Sequence, residues 1–165
     1  MVTRAPLRIK QATEEDVPLI LTFIHELAQH ERALDRVSAT EEGLRVTLFS
    51  PTPYAEAMIA YENGKPVAFA LYYFSYTSFS ALPGLYLEDI FVRPVARGCG
   101  VGRQLFALLA QKAVERNCAR IEWAVLNWNE QAIRFYQKLS AEPVHDWTVF
   151  HLSREKLAQL TTEAP

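Results

Sequence analysis

Cysteine is nearly absent. Cys99 and Cys118 are the two in 165 residues, and neither belongs to a C-x-x-C pair. A disulfide framework is excluded, and a cytoplasmic, reducing compartment is the expectation. Charge of one sign is also missing. The formal net charge is -2, so the chain lacks the basic face that a broad nucleic-acid footprint requires. The histidines, His25, His30, His145 and His151, show no metal-ligand spacing, and no metal is expected. The opening "MVTRAPLRIK" has no apolar run of signal-peptide length. Repeats, low-complexity tracts and linkers are absent as well. What remains is a half-apolar chain of a length that buries a real core, expected as one domain over 1–165.

One stretch has no charge at all. Pro66–Leu87, "PVAFALYYFSYTSFSALPGLYL", is long enough to suggest a membrane span. Its serines, its threonine and a central Pro83-Gly84 break argue otherwise, and its aromatics favour strands. Two buried strands and a loop are the better reading, and no membrane contact is expected.

The periodicities predict a mixed α/β chain. Leu7–Gln11 reads as a strand. Val17, Ile20, Leu21, Ile24, Leu27 and Ala28 follow helical spacing, with Thr13 or Asp16 able to cap the start. A shorter helix begins near Thr40. Tyr54–Tyr61 and Pro66–Phe74 read as strands joined across Asn63-Gly64, a strong hairpin signal, and Leu85–Val92 as a third. A helix follows to about Arg116, with Leu105, Phe106, Leu109, Ala110 and Ala113 on one side and Asn117 able to end it in the left-handed conformation. Ile121–Leu126 is a predicted strand, Asn129–Leu139 a helix, Trp147–Leu152 a last strand, and Ser153 caps a terminal helix. The result is one mixed sheet with helices on both faces.

The chemistry concentrates in "YLEDIFVRPVARGCGVGRQLF", Tyr86–Phe106. A Walker loop needs GxxxxGK before Ser or Thr, which is absent. A dinucleotide fingerprint needs GxGxxG. Gly98 and Gly100 fit it, but the third glycine is replaced by Arg103. The run Arg97-Gly98-Cys99-Gly100-Val101-Gly102 lets successive backbone N–H groups turn toward one anion at a helix start. It matches the (Arg/Gln)-x-x-Gly-x-(Gly/Ala) signature of the GCN5-related N-acetyltransferases (GNAT).

The resemblance extends further. "LYLEDIFV", "RGCGVG", "AVLNWNEQAIRFYQKLSA" and "HDW" stand in the order and spacing of the diamine (spermidine/spermine) acetyltransferase group, over nearly the whole chain. "FSYTSF" and "AVLNWN" resemble the thialysine branch of that group. The resemblance implies the GNAT acyl-CoA N-acyltransferase fold, acetyl-CoA as donor, a small-molecule amine as acceptor, and a homodimer formed through the C-terminal strands.

Acetyl transfer to an amine poses two proton problems. The attacking amine must lose a proton, from an ammonium of pKa ~10.4, and the leaving thiolate must gain one. Glu88 is the candidate base, acting through water, as a carboxylate in an otherwise apolar strand. Asp89, expected on the opposite face by strand alternation, is a candidate ammonium ligand. Tyr136 is the candidate acid and cofactor contact by resemblance to the family's "NFY"-type motif. The resemblance also assigns the pantetheine arm to Asn129, whose other reading is a helix N-cap, and to the amides of Phe91 and Val92. The pyrophosphate falls to Arg97, Gly98, Cys99, Gly100, Val101, Gly102 and Arg103. His30 and Glu31 align with a substrate-lining pair.

The chain also departs from the family. Thr77 replaces a substrate-binding aspartate of the polyamine branch, His145-Asp146 an acidic pair, and Ser140 a helix-ending glycine. Three alternatives stay open: a protein or peptide amine as acceptor, a non-catalytic acyl-CoA-binding domain, and a nucleotide-binding oxidoreductase disfavoured by Arg103 and the strand order.

Overall fold

The computed structural model describes residues 6–163. They fall into two compact units, one ending at Trp128 and one beginning at Asn129.

The first unit holds the whole sheet. Strands β1 (Arg8–Gln11), β2 (Glu56–Glu62), β3 (Lys65–Thr77), β4 (Leu82–Val92) and β5 (Ile121–Glu122) lie in sequence order. The first three pairings are antiparallel, and β4 runs parallel to β5. Asn63 and Gly64 make the β2–β3 turn with φ of 53° and 73°, the left-handed pair that a tight hairpin demands. The charge-free stretch forms β3, its turn and the start of β4. Among the described residues no helix is long and apolar enough to cross a membrane.

Helices cover both faces. On one, α1 (Val17–His30) and α2 (Glu41–Leu48) bury Val17, Ile20, Phe23, Leu44 and Leu48 against Ala57, Ile59, Phe69 and Phe91. Phe23 stacks on Phe69 with ring centres 5.1 Å apart, so truncating Phe69 to alanine would cost about 3–5 kcal/mol. On the other, α3 (Val101–Glu115) buries Leu105 and Leu109 completely. Asn117 closes that helix at φ 53°, as its sequence position suggested.

Strand β4 is irregular in two ways that shape the site. Asp89 pairs with Leu71 and Leu87 with Tyr72, so Glu88 has no partner and forms a β-bulge. Pairing to β5 covers Leu85–Ile121 and Tyr86–Glu122 alone. Among the described residues no strand pairs with the outer edge of β4 beyond Tyr86, which leaves that edge open.

The second unit contains α4 (Glu130–Gln137) and α5 (Arg154–Glu163). The expected strand at Trp147–Leu152 is not formed. A strand exists by virtue of a neighbouring edge, and among the described residues this segment pairs with none. The predicted Ile121–Leu126 strand shrinks to Ile121–Glu122 for the same reason.

Candidate active site

The loop leading into α3 owes its shape to two glycines. Gly98 and Gly100 have φ of 72° and 82°, and Gly100 is the residue before the first helical turn. A Cβ at either would meet nothing within 4 Å, so the glycines serve the dihedral angles and leave the loop open outward. The first intrahelical bond runs from Gln104 N–H to Gly100 C=O at 3.0 Å. The amides of Val101, Gly102 and Arg103 therefore lie at the unpaired positive end of α3. This open cradle fits a pyrophosphate. Cys99 turns inward, its Sγ donating to the Arg97 carbonyl at 3.2 Å.

The Arg97 side chain turns toward the end of β4. Its Nε donates to the Val92 carbonyl at 2.8 Å, and its guanidinium lies 5.6 Å from the centre of the Phe91 ring. It braces the loop against the end of β4. Arg93 makes a second brace. Nε and Nη2 grip both oxygens of Glu26 at 2.9 and 2.7 Å, and Nη1 reaches the Pro66 carbonyl. The end of β4 is thereby tied to α1.

The open edge of β4 corrects one assignment. Arg93 N–H bonds to Val67 C=O toward β3, and Phe91 lies opposite Phe69 two positions along. In an antiparallel ladder such positions repeat, so the Phe91 amide also faces β3. Ile90 and Val92 are the residues whose amides face the open side. Alternation along "DIFV" carries that signal, and the sequence reading missed Ile90. Phe91 instead serves the core through its ring.

The bulge corrects a second. Glu88 lies within β4 as expected but is exposed, and Asp89 is the more buried of the two. Asp89 lies opposite Leu71 on the α1–α2 side, and the extra residue cancels the strict alternation that would have sent Glu88 to the far face. Burial lifts the Asp89 carboxyl to about 6, helped by the charges of Glu88 and Glu31. Burial first, then Glu88 and Glu122, also pushes up the phenols of Tyr73 and Tyr86, whose rings stack at 5.2 Å.

The end of α1 completes this cluster. The His30 ring is tilted against Phe91 and meets the edge of Trp128, both at 6.2 Å. Glu31 follows it, and the Arg32 guanidinium sits 5.5 Å above Trp128. Trp128, Tyr73 and Tyr86 were not singled out from sequence; "NWN" and the aromatic-acid alternation of "LYLED" are the signals that point to them. Asp89 thus lies within electrostatic reach of both Glu31 and Glu88, and His30, beside Glu31, packs against Phe91 and Trp128. Three carboxylates attract an ammonium but also hold its proton.

Thr77 is not part of this cluster. It is buried, and its hydroxyl donates to the Leu82 carbonyl at 2.9 Å across the β3–β4 turn. Six residues of strand separate it from Leu71, the partner of Asp89, about 20 Å at the rise of a strand.

In the second unit, Asn129 caps α4, its side chain accepting from Ala132 N–H at 3.2 Å. Tyr136 lies in the last turn of that helix, half-buried, its ring 5.5 Å from that of Phe135. Ser140, at φ 63°, follows the helix in a conformation that favours glycine.

The profile of the acetyltransferase (GNAT) family matches residues 22–141. A thialysine N-epsilon-acetyltransferase of Bos taurus is 35% identical, the match covering 92% of this chain and 95% of that protein. An L-ornithine N5-acetyltransferase, NATA1, of Arabidopsis thaliana is 29% identical over 91% of this chain and 86% of that one. A solved integron cassette protein from the mobile metagenome of V. cholerae superposes with a TM-score of 0.77 at 28% identity, over 94% of this chain and 97% of that chain.

Proposed function

The chain belongs to the acetyltransferase (GNAT) family and is an N-acetyltransferase, and we propose that it works as one domain moving acetyl from acetyl-CoA to a primary amine of a small molecule. The acceptors we infer are lysine-like or thialysine-like amino acids first, then di- and polyamines. The observation that carries this reading is the set of three carboxylates, Glu31, Glu88 and Asp89, gathered beside the open edge of β4. An ammonium is the natural guest of such a set.

Acetyl-CoA, when bound, supplies the acetyl group as an activated thioester. In the proposal the amides of Ile90 and Val92 hold the pantetheine arm as an added strand would, with Asn129 assisting. The amides of Gly98 to Arg103 hold the pyrophosphate at the start of α3. Asp89, Glu31 and His30 receive the acceptor amine. Glu88, exposed on its bulge, draws off the ammonium proton through water as the amine nitrogen attacks the acetyl carbon. Tyr136 Oη donates to the leaving thiolate sulfur as the C–S bond breaks. Homodimer assembly through Trp147–Leu152 belongs to the proposal as well, since Val149 and Phe150 are exposed and apolar; so does a cytoplasmic setting.

Free-thiol release from acetyl-CoA tests this against thialysine, lysine, ornithine, putrescine, spermidine, spermine and a lysine-containing peptide. Saturable turnover on a small amine is expected. Turnover on the peptide alone replaces the acceptor class, and silence with acetyl-CoA still bound moves the chain to a binding role. The Glu88→Gln variant is expected to flatten the acidic limb of the pH–rate profile; an unchanged limb removes Glu88 as base.

A further inference from the structure

Arg32 is an odd residue to find where it stands. It follows the C-terminus of α1 with φ 58°, at the position where helices usually end on glycine, so its Cβ carries backbone strain. Strain of this kind persists where the surroundings over-determine it. Here the neighbour is Trp128, whose ring holds the Arg32 guanidinium 5.5 Å from its centre. Trp128 is also the wall that His30 meets. Arg32 is thus an exposed cation laid on Trp128, next in sequence to Glu31, whose charge reaches Asp89.

The stacking matters chemically. A guanidinium laid against an indole spends its face and keeps its in-plane N–H donors, the fork that fits a carboxylate through two parallel hydrogen bonds. Glu31, its neighbour in sequence, does not take that fork; among the described residues Arg32 makes no ion pair. Amino acids and diamines differ at the end remote from the reacting amine. An amino acid presents a carboxylate beside its α-ammonium, whereas a diamine presents an ammonium alone. Such a cation attracts the first and repels the second.

Accepting the acetyl-transfer reading above, we propose that Arg32 is a specificity-determining residue: it binds the carboxylate of an amino-acid acceptor and thereby favours amino acids with a side-chain amine over diamines and polyamines. The competing explanation is a cation that merely complements the dipole at the end of α1. That role would alter stability and every acceptor alike.

Matched acceptors separate the two. The purified chain is assayed with acetyl-CoA on ornithine against putrescine, and on lysine against cadaverine, each pair differing by one carboxylate. The readout is the ratio of kcat/KM within a pair. Arg32→Gly is the variant of choice, because glycine relieves the left-handed strain and keeps the helix end. The ratio is expected to fall about tenfold or more, through KM for the amino acid and with its kcat held, as expected for one charged hydrogen-bonded pair near solvent. Arg32→Lys, which keeps the charge and loses the fork, is expected to retain part of the preference. An equal change on both members of a pair, or none, overturns the inference. Wild-type turnover confined to diamines overturns it and leaves acetyl transfer standing. Silence of the wild type on every amine overturns both.

Discussion

Replacing Asp89 by asparagine is expected to stabilise the protein while harming it as an enzyme. The carboxyl is held at about 6 against an ordinary 3.8, through burial first and the neighbouring charges of Glu88 and Glu31 second. At ~1.4 kcal/mol per pH unit, that difference corresponds to about 3 kcal/mol. The folded state therefore prefers the protonated acid. The stability this confers is fully present below pH 3.8 and is lost as pH rises through about 6. Asparagine carries no such dependence. Urea denaturation at pH 4 and pH 8 should show the Asp89→Asn chain level with wild type at the acid end. At the neutral end it should be about 2–3 kcal/mol more stable, with the crossover between. Amine KM at pH 8 should rise at least tenfold, because one of the three charges facing the ammonium is gone. A variant that is less stable than wild type by the same amount at both pH values would refute the reasoning. It would mean that the carboxyl ionises no less readily in the folded chain than in the unfolded one, and that asparagine loses contacts made by either form.

Two further outcomes are expected. Tyr136→Phe should lower kcat by about 100-fold or more, the usual contribution of a positioned acid, and leave the acetyl-CoA dissociation constant within twofold by calorimetry; equal loss of both returns Tyr136 to a packing role. Ser140→Gly should raise unfolding stability by about 0.5–1 kcal/mol in urea titration, since serine at φ 63° carries the left-handed strain that glycine avoids.

What was legible in the sequence is what local rules govern. The Asn63-Gly64 hairpin, the glycine loop opening α3, the Asn117 stop and the Asn129 cap each depend on a few adjacent residues, and each stands where its residues suggest. The bulge at Glu88 was not legible, because it is set by how β3 and β4 register along their whole length. From that one slip came one misreading, the opposed faces of Glu88 and Asp89. Phe91 was misassigned because naming an amide for its neighbourhood ignores which edge it faces. The wall of His30 and Trp128 lay beyond reach for a simpler reason: the two are far apart in sequence and meet through the end of α1. The strand expected at Trp147–Leu152 shows the converse, a suitable composition without a partner edge.

The bulge has a consequence for how this chain tolerates change in length. Glu88 is a one-residue phase shift that keeps Leu87 packed on one side while Phe91 packs on the other. Substituting it leaves that phasing untouched. Deleting it would join Leu87 directly to Asp89 opposite the adjacent pair Tyr72 and Leu71, closing the ladder to a regular one with Phe91 still opposite Phe69 and still in the core. In a population of variants, position 88 should accept deletion as well as substitution in folding assays, unlike a regularly paired strand position, where the loss of one residue turns every later side chain to the other face.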